Sequence, residues 1–117
     1  MTNDSKIDYI ELPAESLDKA EKFYTDVFGW TFIDYGENYR AFNDGATNGG
    51  FYRTPLASSA STGAALIILY ADDLEATQAR VAAHGGEIST PIFSFPGGRR
   101  FHFKDLNRNE LAVWSNE

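Results

Sequence analysis

The sequence predicts an α+β fold: two βαβββ modules forming a curved mixed sheet, with helices on one face and a concave cup on the other. Three observations predict it. Under a constant offset of 57 the chain repeats itself, with Ile10 meeting Ile67, Leu12 meeting Leu69, Leu17 meeting Leu74 and Gly29 meeting Gly86. Each copy runs from a short apolar strand through an acidic or hydroxyl break into a helix of about three turns and a glycine. Three further short runs, divided by turn residues, follow each glycine. A repeat of this length cannot bury an apolar face alone. One domain over 1–117 is therefore expected, with module 1 over 1–55, a linker over about 56–62 and module 2 over 63–117.

Residues 6–13 read as the first strand, with Ile10 and Leu12 on one face and Ile7, Tyr9, Glu11 and Pro13 on the other. Pro13 brings no donor and is expected to end the ladder. Ser16 then caps a helix over about 17–28, whose Leu17, Ala20, Phe23, Tyr24, Val27 and Phe28 form one stripe of helical period. Gly29 closes it. Strands are expected at Trp30–Tyr35, Tyr39–Asn43 and about Gly49–Arg53, separated by Gly36-Glu37-Asn38 and Asn43-Asp44-Gly45. The small, polar PLASSASTG stretch at 55–63 has no periodicity and reads as a flexible linker. The second copy gives a strand at Leu66–Tyr70, a helix capped by Asp72 or Asp73 and stopped by Gly85-Gly86, and strands near Glu87–Ser94, Arg99–Phe103 and Asn109–Trp114.

With 117 residues, 43% apolar and 15% aromatic, the composition is that of a folded globule. Seventeen acids against ten bases give a net charge of −7, which opposes nucleic acid and anionic membranes as partners. There is no cysteine, so neither a disulfide framework nor thiolate chemistry is expected. The opening MTNDSKID has no secretory pattern, and the longest apolar run, Ala64–Ala71, is far too short for a bilayer span. The expectation is a cytoplasmic protein whose partners are a small molecule and a second copy of itself.

The repeated βαβββ plan, the segment AEKFYTDVFGW after the first strand and the terminal Asp-x-x-x-Asn-Glu-Leu at 105–111 together resemble the vicinal oxygen chelate superfamily. That superfamily includes glyoxalase I, bleomycin-resistance proteins, methylmalonyl-CoA epimerase and extradiol dioxygenases. The resemblance implies the fold and a cup, but not a reaction, because the scaffold carries diverse chemistry. In metal-dependent members the first and last strands of each module supply His, Gln or Glu ligands. The resemblance places those positions at Tyr9, about Phe51 (Gly50 if the register slips by one), Leu66 and Ala112. None offers the imidazole or carboxylate a divalent metal wants, so no metal and no cofactor is expected.

Strand alternation selects the remaining candidates. Tyr9 and Glu11 share one face of the first strand, and Leu66, Ile68 and Tyr70 the equivalent face of its repeat. Phe51 and Arg53, and Glu110, Ala112 and Trp114, are the matching sets on the last strands, with Arg100 and His102 beside them. Glu11 and His102 are the catalytic candidates, as groups able to move a proton. The ligand-binding set is Tyr9, Phe51, Arg53, Leu66, Ile68, Tyr70, Arg100, Glu110, Ala112 and Trp114, an aromatic and apolar cup with a few orienting charges. His84 reads as a helix C-cap, and the SFPGGRRF segment at 94–101 as a hairpin loop rather than a phosphate loop. Three functions are compatible with this set. The first is a metal-independent binding protein for an aromatic or amphipathic small molecule. The others are a glyoxalase-like lyase or isomerase acting through Glu11 or His102, and a dimerisation module with no ligand of its own.

Overall fold

The computed structural model describes residues 3–117, which divide into two compact units at Leu56/Ala57. Unit 1 contains β1 (Tyr9–Ala14), α1 (Leu17–Phe28), β2 (Thr31–Asp34), β3 (Tyr39–Asn43) and β4 (Asn48–Arg53). Unit 2 contains a 3-10 turn (Ala60–Thr62), β5 (Ile67–Tyr70), α2 (Leu74–Ala83), β6 (Glu87–Phe95), β7 (Gly98–Lys104) and β8 (Glu110–Ser115). The α+β class and the doubled βαβββ order are those the sequence predicts. Each unit has its own four-stranded mixed sheet, in the orders β1-β4-β3-β2 and β5-β8-β7-β6. Within each, the first and last strands pair in parallel and the other pairs are antiparallel.

The helix boundaries follow from local chemistry. Ser16 accepts from the Lys19 N–H at 3.2 Å, and Asp73, its counterpart at the same offset, accepts from the Ala76 N–H at 3.0 Å. Gly29 ends α1 at φ 74°, a left-handed conformation that favours glycine. The predicted stripe of α1 is its buried face: Leu17, Ala20, Phe23, Tyr24 and Val27. The ring of Tyr24 stacks on Trp30 at 4.5 Å and lies 5.5 Å from Phe51, while Trp30 stacks on Phe42 at 4.6 Å. Burying each such side chain stabilises the fold by about 1.5–3 kcal/mol. In unit 2, Leu74, Thr77 and Val81 of α2 are buried, as are Phe101, Phe103, Leu111 and Val113 of the sheet.

Three expectations need correction. Pro13 does not end β1, which runs on to Ala14. Within its sheet β1 pairs only with β4, so a residue lacking an N–H is tolerated on the free side. The 55–63 stretch is not a free linker in its second half. Ser58 donates its N–H to Asn109 Oδ1 and accepts from the Glu110 N–H, both at 2.8 Å, and Ser59 caps the 3-10 turn. Finally, Phe51 is fully buried on the helix side of its sheet, and Arg53 follows it to the end of α1 where Glu15 and Ser16 lie. The register pairs Glu11 with Gly50, so Gly50 and not Phe51 shares the face of Tyr9. Truncating a core ring leaves a cavity, so Phe51→Ala should lower stability by about 3–5 kcal/mol in urea unfolding. A cup-lining phenylalanine would lose far less.

Candidate functional site

Each sheet has a face turned away from its helix, and the register identifies what stands on it. In unit 1 these residues are Tyr9, Glu11, Thr31, Ile33, Tyr39, Ala41, Asn43, Asn48 and Tyr52. A concavity of about 550 Å³ opens here, walled by Tyr9, Ile33, Tyr35 and Tyr39. Tyr39 donates its hydroxyl proton to Glu11 Oε2 at 3.0 Å, and its oxygen lies 2.6 Å from that of Tyr9. Since Tyr39 has one proton and gives it to Glu11, Tyr9 donates to Tyr39. Burial, then the hydrogen bonds with Tyr9 and Glu11, push the Tyr39 phenol well above its usual range, and it stays neutral. Gly50 is required beneath it: a Cβ there would lie 2.0 Å from the Tyr39 hydroxyl.

In unit 2 the corresponding face carries Ile68, Tyr70, Arg100, His102, Lys104, Glu110, Ala112 and Trp114, with Lys104 outside the cavity lining. Its cavity, about 270 Å³, is lined by Ile68, Phe95, Arg100 and Trp114. Trp114 meets Tyr70 edge to face at 5.2 Å and Phe95 at 6.2 Å. Arg100 donates to His102 Nε2 through Nε at 3.2 Å and Nη2 at 2.9 Å. A guanidinium only donates, so Nε2 must be the unprotonated acceptor, which assigns the ring proton to Nδ1. Nδ1 accordingly donates to Glu110 Oε2 at 3.2 Å, while Glu110 Oε1 accepts from the Ala60 N–H at 3.0 Å. The hydrogen bond from His102 is the main reason the Glu110 carboxyl sits below its ordinary 4.5, opposed by burial and reinforced by Ala60.

The terminal Asp-x-x-x-Asn-Glu-Leu segment positions this carboxylate. Asp105 Oδ1 accepts the N–H groups of Asn107 and Asn109 at 2.8 and 2.9 Å, closing a turn in which Arg108 takes φ 68°. Asn109 then fixes the Ser58 backbone, which brings Ala60 to Glu110.

Of the residues selected from the sequence, Tyr9 and Glu11 share the face in unit 1. Ile68, Tyr70, Arg100, His102, Glu110, Ala112 and Trp114 share that in unit 2, and Leu66 lies just ahead of β5. Phe51 and Arg53 belong to neither face. Ala112 is fully buried between Ile68 and His102 in the ladder. Among the described residues no three His, Cys, Asp or Glu side chains converge as metal ligands would. Sequence reasoning missed Tyr39, Phe93 and Phe95. Alternation along β3, where Tyr39 opposes the buried Phe42, held the signal for the first. For the others it was present too, because the two bulges in β6 cancel and alternation from Ile88 puts Phe93 and Phe95 on the face of Arg100.

A duplicated βαβββ chain with one helix and one four-stranded mixed sheet per copy defines the fold class. The profile of the Glyoxalase/Bleomycin resistance protein/Dioxygenase superfamily matches residues 6–113, and the chain belongs to that superfamily. Solved structures agree on the fold. A glyoxalase-related enzyme from Fulvimarina pelagi superimposes with a TM-score of 0.78 at 15% identity, over 95% of this chain and 88% of that one. The fosfomycin resistance protein FosX from Listeria monocytogenes gives 0.79 at 17%, over 95% and 93%. A lactoylglutathione lyase from Agrobacterium tumefaciens gives 0.72 at 23%, over 95% and 93%. No curated protein sequence matches the chain. No helix among the described residues is long and apolar enough to cross a membrane.

The depressed Glu110 pKa fixes the sign of a pH effect. A carboxyl whose folded pKa lies below its unfolded value contributes stability above about pH 4.5 and loses it as pH falls through the folded value. The stability difference between the native chain and Glu110→Gln should therefore be largest at neutral pH and shrink as pH drops below about 4.5. Urea unfolding of both proteins across that range checks it.

Proposed function

We propose that the chain is a metal-independent small-molecule binding protein of this superfamily, holding an aromatic or amphipathic compound against an uncovered sheet face. The carrying observation is the lining of the two concavities: Tyr9, Ile33, Tyr35 and Tyr39 in one, Ile68, Phe95 and Trp114 in the other. Large apolar side chains, exposed or half-buried, gathered on the helix-free face of each sheet suit a planar or greasy ligand. Independence from metal is supported by the donor set. The family's ligand positions hold Tyr9, Gly50, Leu66 and Ala112; Tyr39 stands over Gly50, and His102 is Ala112's neighbour in the ladder. No carboxylate or imidazole replaces the missing ligands, and the residues do not fit the divalent ion that relatives use.

A second reading, a lyase or isomerase acting through Glu11, is supported by the Tyr9–Tyr39–Glu11 hydrogen-bond chain, which orients that carboxylate. His102 does not present a free nitrogen, because Arg100 donates to Nε2 and Nδ1 is turned to Glu110. Isomerisation of the hemithioacetal of glutathione and a 2-oxoaldehyde to the 2-hydroxyacyl thioester, lost in Glu11→Gln, would favour the second reading over the first.

Two measurements test the binding reading. Calorimetric titration with neutral 2-naphthol should saturate, and Trp114→Ala should weaken it by about tenfold through lost stacking. Heat of dilution alone would overturn the proposal. Elemental analysis of protein purified without chelator should find transition metal far below one equivalent, and EDTA should leave 2-naphthol binding unchanged. One equivalent of tightly held metal would overturn the assignment of the ligand positions.

A further inference from the structure

We propose that the unit 2 cavity selects an aromatic monocarboxylate, with Arg100 as the group that takes its carboxylate. This rests on the binding reading above and names the ligand class.

Two other arginines of this acidic chain are held by carboxylates. Arg40, whose side chain is 13% exposed, has Asp18 at 2.8 Å, Glu21 at 3.1 Å and Asp34 at 3.9 Å. Arg99, the neighbour of Arg100, turns to the helix side and takes Glu75 in a two-pronged pair. Arg100 is half-buried as well, yet among the described residues no carboxylate forms an ion pair with it. Its partners are the unprotonated nitrogen of His102 and the faces of Phe93 and Phe95, whose ring centroids lie 5.8 and 5.7 Å from the guanidinium carbon. Those contacts hold the cation in place without neutralising it. Glu110 is not a direct partner of Arg100: its two oxygens accept from His102 and from Ala60 with Ser59, and it meets the guanidinium only through the imidazole.

Nε and one proton of Nη2 are used on His102. What remains is the outer edge of the fork, the Nη1 protons with the second proton of Nη2, the arrangement that receives a carboxylate bidentately. Arg100 is also the one charged residue lining the cavity; its other walls are Ile68, Phe95 and Trp114. An occupant must therefore combine an anionic head with an apolar, preferably planar body. One unpaired guanidinium matches one negative charge. A dianionic phosphonate or phosphate would bring a second charge beside Glu110 in a chain of net charge −7, with no second cation in the lining.

Calorimetry with three naphthalene probes of one shape and different charge tests this. The native chain should bind 2-naphthoate at least about tenfold more tightly than 2-naphthol, and 2-naphthylmethylamine more weakly than either, because a charge-assisted bidentate pair adds to the same ring contact. In Arg100→Leu the naphthoate-to-naphthol ratio should fall to about one, and in Arg100→Lys, which keeps the charge but not the fork, it should lie between. Equal binding of naphthoate and naphthol by the native chain would overturn the carboxylate assignment and leave the small-molecule reading standing. Binding of neither would overturn both. A naphthoate preference that survives in both Arg100 variants would place the anion at another cation and overturn the role of Arg100.

Discussion

Each four-stranded sheet in this chain is served by one helix, and a helix covers one face. Strand side chains alternate across the sheet, so half of every strand must be apolar enough to pack under the helix. The other half is left without intramodule cover. The pattern of the whole sequence depends on that division. Leu12, Phe42 and Phe51 go to the covered side of the first sheet, and Phe101, Phe103, Leu111 and Val113 to that of the second. The opposite faces then carry side chains with an apolar body and a polar tip, Tyr9, Tyr39, Tyr70 and Trp114, which tolerate water but gain from a planar partner.

The repeat extends below the level of elements to individual hydrogen bonds. Ser16 and Asp73 cap equivalent helices, and Asp44 and Asp105 close equivalent turns ahead of the last strand by accepting the N–H groups two or more residues on. The copies diverge in what the turn serves. In unit 2 Asn109 reaches back across the sequence to Ser58, and the resulting tie brings the Ala60 N–H to Glu110. The segment that marks the family in sequence thus acts here as a positioning device for one carboxylate.

Most of the fold was legible because its signals are local: helical period, capping side chains, a glycine at the left-handed stop. The faces of the candidate site were legible where a strand alternates cleanly, as at Tyr9 and Glu11 or at Arg100 and His102. They were misread where alternation carries no information. Gly49 and Gly50 give no polarity cue, so β4 could be placed in either of two registers, and the wrong one put Phe51 and Arg53 in the cup. Phe93 and Phe95 were legible as well, since the two bulges of β6 cancel and plain alternation from Ile88 puts both on the face of Arg100; only Thr90, between the bulges, departs from it. The order in 55–63 was invisible for a different reason. Its partners, Asn109 and Glu110, lie about fifty residues away, beyond any local pattern.

The pairing of His102 with Arg100 constrains the chemistry of unit 2 more than the identity of either residue does. A histidine beside a glutamate suggests a general base oriented by a carboxylate, with the proton on Nδ1 and the free nitrogen aimed at substrate. Here the first two parts are present, but Nε2 faces a permanent cation that donates to it twice. Proton abstraction through that nitrogen would first require the guanidinium to leave its lone pair. The same contact read from the other side is productive. Glu110 holds the imidazole, the imidazole holds the guanidinium, and the phenylalanine faces prevent it from folding away. A flexible arginine becomes a fixed one with its outer edge presented, so less side-chain freedom is lost when an anion docks. The triad is better built to fix a positive charge than to move a proton.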